Sequence, residues 1–556
     1  SDVCSSDLQE FDICKSIDCM TKYSEMVIDP MRIRYCLEKA LYLAKSGRPG
    51  PCWLDIPLNV QGAFVETEDL EGFDPEDYEN GGTGWGTMGN IHAIPEDEAG
   101  KGDKRQLLPG KVSRETADLI LSKIRAAKRP VINAGNGIRI AGAHDVFMRV
   151  AEKLGIPVIT GWDSEDCIWD EHPLYTGRAG NMGDRAGNFA IQNSDLVLSV
   201  GSRLSIRQVG YNYKTWARAA FVIANDIDSE ELKKPSVHAD LAVHADAKDL
   251  LEQLDGALDE ILEKEGNQLA ESLSKKGEKQ LFDGGEGLPG MSWSETCRMW
   301  KETYPVVQKK HWNFTDQEPA NVYAAIQAIS SRLKEGQITV VGNGSACVVG
   351  GHAYVIKKGQ RFITNSAVAA MGYDLPAAIG AWTASRDSRC YSQGRDRSGE
   401  DLILVTGDGS IQMNLQELQT IIHHKMGIKI FLINNGGYHS IRQTQKNFFG
   451  EPLIGIGVDS GDLSFPDMEK LAGAYGYPYI KAEHNSELAK AVEQTLAVEG
   501  PVICEIFVSM DQNFEPKSSA KRLPDGTLVS PPLEDLAPFL PEEEMDRNMI
   551  IPRIRE

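Results

Sequence analysis

From Leu402 to Ser440 the chain runs LILVTGDGSIQMNLQELQTIIHHKMGIKIFLINNGGYHS. Two unbroken apolar runs, Leu402 to Val405 and Ile428 to Ile433, flank a stretch in which Leu415, Leu418 and Ile422 recur at i, i+3 and i+7. Such runs predict strands covered on both faces, and the helical recurrence predicts a crossover helix that buries one stripe. The segment is a βαβ unit.

The same rhythm covers much of the chain. From about 113 to 260, strand-like runs (RPVINAG, IPVITG, DLVLSVG, FVIANDID, ADLAVHAD) alternate with helical stretches, and the alternation resumes from about 319 to 510. Residues 30 to 62 give a helix with Ile33, Cys36, Leu37, Ala40 and Leu41 on its inward stripe, a turn from Ser46 to Pro51, and a buried-strand run from Cys52 to Val60. The expected fold class is α/β, multi-domain, with parallel sheets covered by helices. Breaks in the rhythm set the boundaries: the end of an α/β unit at 1–62, an acidic Gly- and Asp-rich linker at 63–112, a central domain at 113–260, a charged, then irregular linker at 261–318, a third domain at 319–514 with a charged insertion at 386–401, and a tail at 515–556. The prolines and acids from 525 to 540 predict an extended docked segment, lying over a ligand site or along the surface.

Composition narrows the function classes. A chain of 556 residues exceeds what one core organises. Its 58 Lys+Arg against 81 Asp+Glu leave a net charge of −23, which repels phosphate backbones and anionic lipid, so neither nucleic acid nor a membrane surface is an expected partner. No apolar run approaches the ~18 residues of a membrane span. Ten cysteines with no C-x-x-C pair fit neither a disulfide framework nor a zinc site and predict a reducing, cytoplasmic setting. The first residues lack a basic start and apolar stretch, so no secretory signal is read there.

A right-handed crossover brings the carboxyl ends of both strands to one sheet edge, so Asp408 converges with Asn434 and Asn435. Asp408 and Asn435 stand 27 residues apart, and both carry hard oxygen donors that suit Mg²⁺ holding a diphosphate. Gly407, Gly409, Gly436 and Gly437 let the backbone turn and approach phosphates closely. Amides around Gly409 and Ser410 form an anion nest, to which the Ser410 hydroxyl adds a donor. Alone, G-D-G is commonly a tight turn and N-N-G-G a loop; joined at this spacing, each after an apolar strand, they mark a metal–diphosphate site. A nicotinamide site at NAGNGIRIAG fails, because G-x-G-x-x-G requires Gly where Ile140 stands.

G-D-G, 24 residues and then N-N is the pattern of thiamine-diphosphate enzymes, and the chain resembles the large catalytic subunit of acetohydroxyacid (acetolactate) synthase from Gln9 to about Phe514. SGRPGPCWLDIP (46–57), GIPVIT (155–160), SDLVLSVGSR (194–203), NDID (225–228), AAMGYDLPAAIGA (369–381) and RQTQKNFF (442–449) carry the likeness. The resemblance implies thiamine diphosphate on the third domain, with Mg²⁺ held by Asp408, Asn435 and the Gly437 carbonyl. It makes residues 9 to about 62 the end of a pyrimidine-binding domain. Met371 would wedge the cofactor into its bent form and the Ala369 carbonyl would accept from its amino group; ordinary core packing is the alternative for Met371. Arg207 would grip an acceptor carboxylate, against a plain surface arginine. The implied reaction is 2-oxo acid decarboxylation and carboligation in a homodimer or homotetramer, within branched-chain amino acid biosynthesis.

Departures from the family pattern carry their own expectations. Thr444 stands where the synthases have tryptophan and Ser440 where they have methionine, which favours a related carboligase or decarboxylase with another acceptor. Gly135, Gly137 and Asp226 to Asp228 match flavin-binding members, whereas GRAGNMG (177–183) departs from them, which leaves FAD open. The family glutamate that protonates the aminopyrimidine lies upstream of the matched residues, so an N-terminally truncated chain that binds cofactor poorly is expected. A non-catalytic cofactor-binding protein is then a third reading, and the opening SDVCSSDL is expected to be a cloning or assembly scar.

Overall fold

The computed structural model describes residues 13–80, 109–270, 280–282, 284–313, 315–387, 400–522 and 528–554. The opening SDVCSSDL, residues 81–108 of the expected first linker, most of the 386–401 insertion and the start of the 525–540 segment lie outside the described residues. The chain divides into two compact units, 1–111 with 227–233, and 112–226 with 234–556.

In the first unit, strands β1 (Tyr23–Met26) and β2 (Cys52–Asp55) pair in parallel, with helix Ile33–Lys45 between them in sequence. The helix buries Tyr35, Cys36 and Leu43, while Leu37 and Leu41 are exposed, contrary to the expected stripe. Apolar side chains circle most of this helix, so periodicity alone does not choose an inward arc. Aromatic packing chooses it: Phe73 lies 5.8 Å from Tyr35 and 5.3 Å from Tyr42, and Tyr78 sits 5.4 Å from Phe73. Part of the segment expected as linker therefore folds, with helix Pro75–Glu79 capped by Asp74 and carrying the buried Tyr78.

The second unit holds two six-stranded parallel sheets. Strands β3 (Pro130–Ala134), β4 (Val158–Thr160), β5 (Tyr175–Arg178), β6 (Leu196–Val200), β7 (Phe221–Asp226) and β8 (Leu241–His244) form the central sheet in the order β5-β4-β3-β6-β7-β8. Strands β9 (Ile338–Val341), β10 (Arg361–Thr364), β11 (Leu402–Gly407), β12 (Ile428–Asn434), β13 (Tyr479–Ala482) and β14 (Val502–Phe507) form the other, ordered β10-β9-β11-β12-β14-β13. The order turns outward at β3/β6 in the central sheet and at β9/β11 in the other, which turns back once more at its edge, where β14 precedes β13.

Both faces of the second sheet are covered, as its apolar runs demand. Ile403, Val405, Phe431 and Ile433 join one core with helices Val322–Arg332, Ser345–Ala353 and Asn485–Ala497. The alternate residues Leu402, Leu404, Ile430 and Leu432 join the opposite core with helices Asp374–Ala384 and Glu417–His423. In the crossover, Leu418 and Ile421 are fully buried while Leu415 and Ile422 pack at the margin.

The stretch expected as a second linker also contributes structure. Helix Trp293–Thr303 starts in a Ser292/Glu295 capping box, which satisfies otherwise orphaned N-terminal donors, and buries Trp293 and Trp300. Their indole N–H groups donate to the Pro130 carbonyl at 2.9 Å and to Asn548 Oδ1 at 2.8 Å. The tail is extended before helix Glu542–Asn548 and packs against helix Arg185–Asn193 of the central domain, where Arg185 donates to the Leu536 carbonyl and Asn193 to that of Asn548. Among the described residues no helix is long and apolar enough to cross a membrane.

Candidate active site

β11 and β12 are neighbours in register, Gly407 opposite Ile433, so Asp408 and Asn435 leave adjacent strand ends. Asp408 is 4% exposed, and its two carboxylate oxygens accept from the amides of Gly409 and Gly437, each at 2.9 Å. Burial pushes its pKa up to about 6 even with those donors in place. Asn435 donates to Ser345 Oγ at 2.7 Å, while its Oδ1 is buried with no partner. A buried acceptor without a donor is costly, and a cation beside a desolvated carboxylate is one physical remedy. Gly409's amide, expected to receive an anion, is engaged by Asp408 itself.

The glycines differ in what they permit. Gly437 has φ +141°, and a Cβ there would come within 2.2 Å of the Ile456 carbonyl oxygen. At Gly409 a Cβ would lie 2.5 Å from the Tyr438 ring, whereas at Gly407 it would meet only the Asn343 carbonyl at 3.9 Å. Gly407 thus borders open space, the mouth of a cleft of about 150 Å³ lined by Met371, Asp408, Ser410, Asn435 and Gly437.

The segment before helix Asp374–Ala384 closes one side. Met371 is 40% exposed and lines the cleft, so core packing does not account for it. The Ala369 carbonyl accepts from Asn343 Nδ2 at 2.6 Å, and Ser410 Oγ accepts from the Gly372 amide at 3.0 Å. Arg207 is not among the residues lining the cleft; its guanidinium sits 5.0 Å from the Trp162 ring, and its charge acts on Asp163.

Several participants were not singled out from sequence. Arg442 is 1% exposed and donates to the carbonyls of Asn435 and Gly436 at 3.2 and 3.1 Å, with Asp459 taking its other N–H groups at 2.9 and 2.8 Å. It clamps the Asn435–Gly437 turn from behind. Asn343 comes from the loop after β9 and Ser345 from the first turn of helix Ser345–Ala353 that follows it, a stretch with no glycine-flanked acid to flag it. Around the central sheet, a Cβ at Gly135 would lie 2.2 Å from Ser202 Cα, and one at Gly137 2.8 Å from Gly201 Cα. Close backbone packing alone accounts for those two glycines.

Residues 117–254 match "Thiamine pyrophosphate enzyme, central domain", and residues 342–506 match "Thiamine pyrophosphate enzyme, C-terminal TPP binding domain". The chain belongs to the thiamine pyrophosphate enzyme family. Asp408 and Asn435 both fall inside the matched TPP-binding domain. Among curated relatives, the chain is 26% identical to a probable acetolactate synthase large subunit of Methanococcus aeolicus, over 94% of this chain and 76% of that protein. It is 28% identical to the acetolactate synthase large subunit of Cyanidium caldarium, over 91% and 75%, and 27% identical to that of Lactococcus lactis, over 89% and 73%.

Proposed function

We propose that this enzyme decarboxylates a 2-oxo acid and joins the product to a second carbonyl compound, as an acetolactate-synthase-like carboligase using thiamine diphosphate and Mg²⁺. One observation carries this: Asp408 and the unpartnered Asn435 Oδ1 line the same cleft from adjacent strand ends. That donor set fits a hard divalent cation. Asp408, Asn435 and the Gly437 carbonyl would hold Mg²⁺, with the diphosphate beside Gly407, Gly409 and Ser410. When bound, thiamine diphosphate supplies the electron sink for decarboxylation. The protein's part is placement: Arg442 fixes the turn that presents the metal donors, Asn343 fixes the Ala369 carbonyl, and Met371 supports the cofactor from the cleft wall.

A second reading keeps this chemistry and changes the acceptor. Ser440 lines the cleft beside Ile441 and is exposed, and Thr444 Oγ1 donates to the Ser440 carbonyl at 3.0 Å, so a small polar side chain stands on this wall. Exposed Val368, Phe449 and Ile454, on the segments that carry the site, favour an even homo-oligomer. Incubating the protein with thiamine diphosphate, Mg²⁺ and pyruvate, with and without FAD, and identifying products by NMR tests the assignment. Acetolactate supports the synthase, acetaldehyde with CO₂ moves it to a decarboxylase, and failure to bind thiamine diphosphate overturns it.

A further inference from the structure

β10 lies at the edge of its sheet and, among the described residues, pairs with β9 alone. Its outward amides fall on alternate residues, and an edge of unpaired donors needs a cover. The loop that follows β4 in the central sheet supplies one. Asp166 accepts from the Phe362 amide at 3.0 Å and from Arg361 Nε at 2.8 Å, while its other oxygen accepts from Arg139 Nε at 3.1 Å. Four residues on from Phe362, Asp163 accepts from the Ser366 amide at 3.3 Å and from Ser366 Oγ at 2.9 Å.

The two acids have different consequences. Asp166, held between two arginines, secures the first residues of a strand. Asp163 secures Ser366, itself 1% exposed, which opens the loop ending at Met371 and Gly372. Ala369, within the loop, adopts φ +52°, a conformation that most non-glycine residues enter at a cost of ~1–2 kcal/mol, so the loop is held against local preference, while Asp163 at φ +65° is of a residue type that enters this region more readily. The far end of the loop is fixed within its own domain, where the Gly372 amide donates to Ser410 and Asn414 Nδ2 donates to the Gly372 carbonyl at 2.7 Å. The near end answers to the central domain.

We infer that Asp163 is a positioning residue: through Ser366, the central domain sets where the 366–372 loop, and with it Met371, stands against the cofactor. The inference rests on the thiamine diphosphate reading above. Burial pushes the Asp163 carboxyl above its ordinary pKa, and the two Ser366 donors and the charge of Arg207 oppose that shift. The arginine expected to meet an acceptor thus acts electrostatically on the same acid.

The full chain with thiamine diphosphate and Mg²⁺ tests this through three readouts: cofactor Kd by calorimetry, the near-ultraviolet circular dichroism band induced in the bound cofactor, and hydrogen exchange at residues 366–372. Asp163→Ala should weaken binding by about tenfold, the scale of a lost hydrogen bond to a charged group, diminish the band, and speed exchange. Asp163→Asn keeps an acceptor for Ser366 and should restore all three to near wild-type values. Ser366→Ala removes only the hydroxyl and should move each readout in the same direction by less, which keeps the test decisive if Asp163→Ala does not fold. An unchanged band and unchanged exchange in Asp163→Ala and Ser366→Ala, or equal losses in Asp163→Ala and Asp163→Asn, would overturn the inference while wild-type binding still upheld the functional assignment. A wild-type chain that binds no thiamine diphosphate overturns both.

Discussion

The two six-stranded sheets of the second unit share an architecture and differ at one place. Each strand order has a switch point, between β3 and β6 and between β9 and β11, and such a reversal opens a crevice at the carboxyl edge where α/β proteins take ligands. In the central sheet the crevice between β3 and β6 is filled by the chain itself: the Gly135 and Gly137 backbone presses on Gly201 and Ser202 so tightly that no side chain fits. In the other sheet the loops after β9, β11 and β12 stay apart, and the cleft between them retains a buried carboxylate and an unpartnered amide oxygen. Glycine after a strand therefore serves two ends. What marks the ligand site is the open cleft that a buried carboxylate and an unpartnered amide oxygen line together, since glycines, and single unpartnered atoms such as Asn225 Oδ1, occur in both sheets.

The packed crevice tolerates least. Gly135→Ala should cost about 3 kcal/mol, the upper range for overpacking, because its Cβ would meet main-chain atoms that cannot swing aside; a urea midpoint unchanged from wild type would refute the packing explanation. At the open crevice, Asp408→Ala should lower thiamine diphosphate affinity by about 50-fold while the unliganded protein melts no earlier than wild type. Removing a carboxylate whose burial already raises its pKa leaves the empty fold no worse. The expected result is a wild-type melting shift with cofactor and Mg²⁺ that the variant lacks.

A third test addresses the buried acid Glu165, beside Asp163. Burial and its acidic neighbour push its pKa up to about 8 from an ordinary 4.5. Between those values the folded state holds a proton that the unfolded state has lost, so stability falls as pH rises through the window, by up to ~1.4 kcal/mol per pH unit for this one group. Glu165→Gln should flatten that decline and be more stable than wild type at pH 8; parallel pH profiles in urea unfolding would exclude it. Smallest of all, Gly407→Ala should leave stability within about 0.5 kcal/mol of wild type, since its Cβ enters open space, and should weaken only cofactor binding.

The sheets, the crossover and the convergence of Asp408 with Asn435 were legible because each is encoded locally, in apolar runs and in polar residues directly after them. What was not legible depended on distant partners. The inward arc of helix Ile33–Lys45 was set by Phe73 and Tyr78, well downstream of it. Residues 293 to 303 read as irregular linker because the surfaces that bury Trp293 and Trp300 are Pro130 and Asn548, at opposite ends of the sequence. Arg442 carried no signal of its role, since an arginine in a polar helix is ordinarily solvated; its burial follows from the Asn435–Gly437 turn folding back over it. The Gly409 amide illustrates a subtler limit: motif chemistry shows that a donor exists, and only the folded loop shows that Asp408 has already taken it.

The cover on β10 bears on how the molecule is made. Asp166 and Asp163 precede Arg361 and Ser366 by 195 and 203 residues, so a ribosome releases the covering loop long before the strand it covers. Domains assemble in order of synthesis, and exposed strand edges are where nascent chains aggregate. In this order of emergence the acids are already in place when the edge appears. A circular permutant that places residues 315–522 ahead of the central domain would reverse the order, and should yield more aggregate at equal final stability.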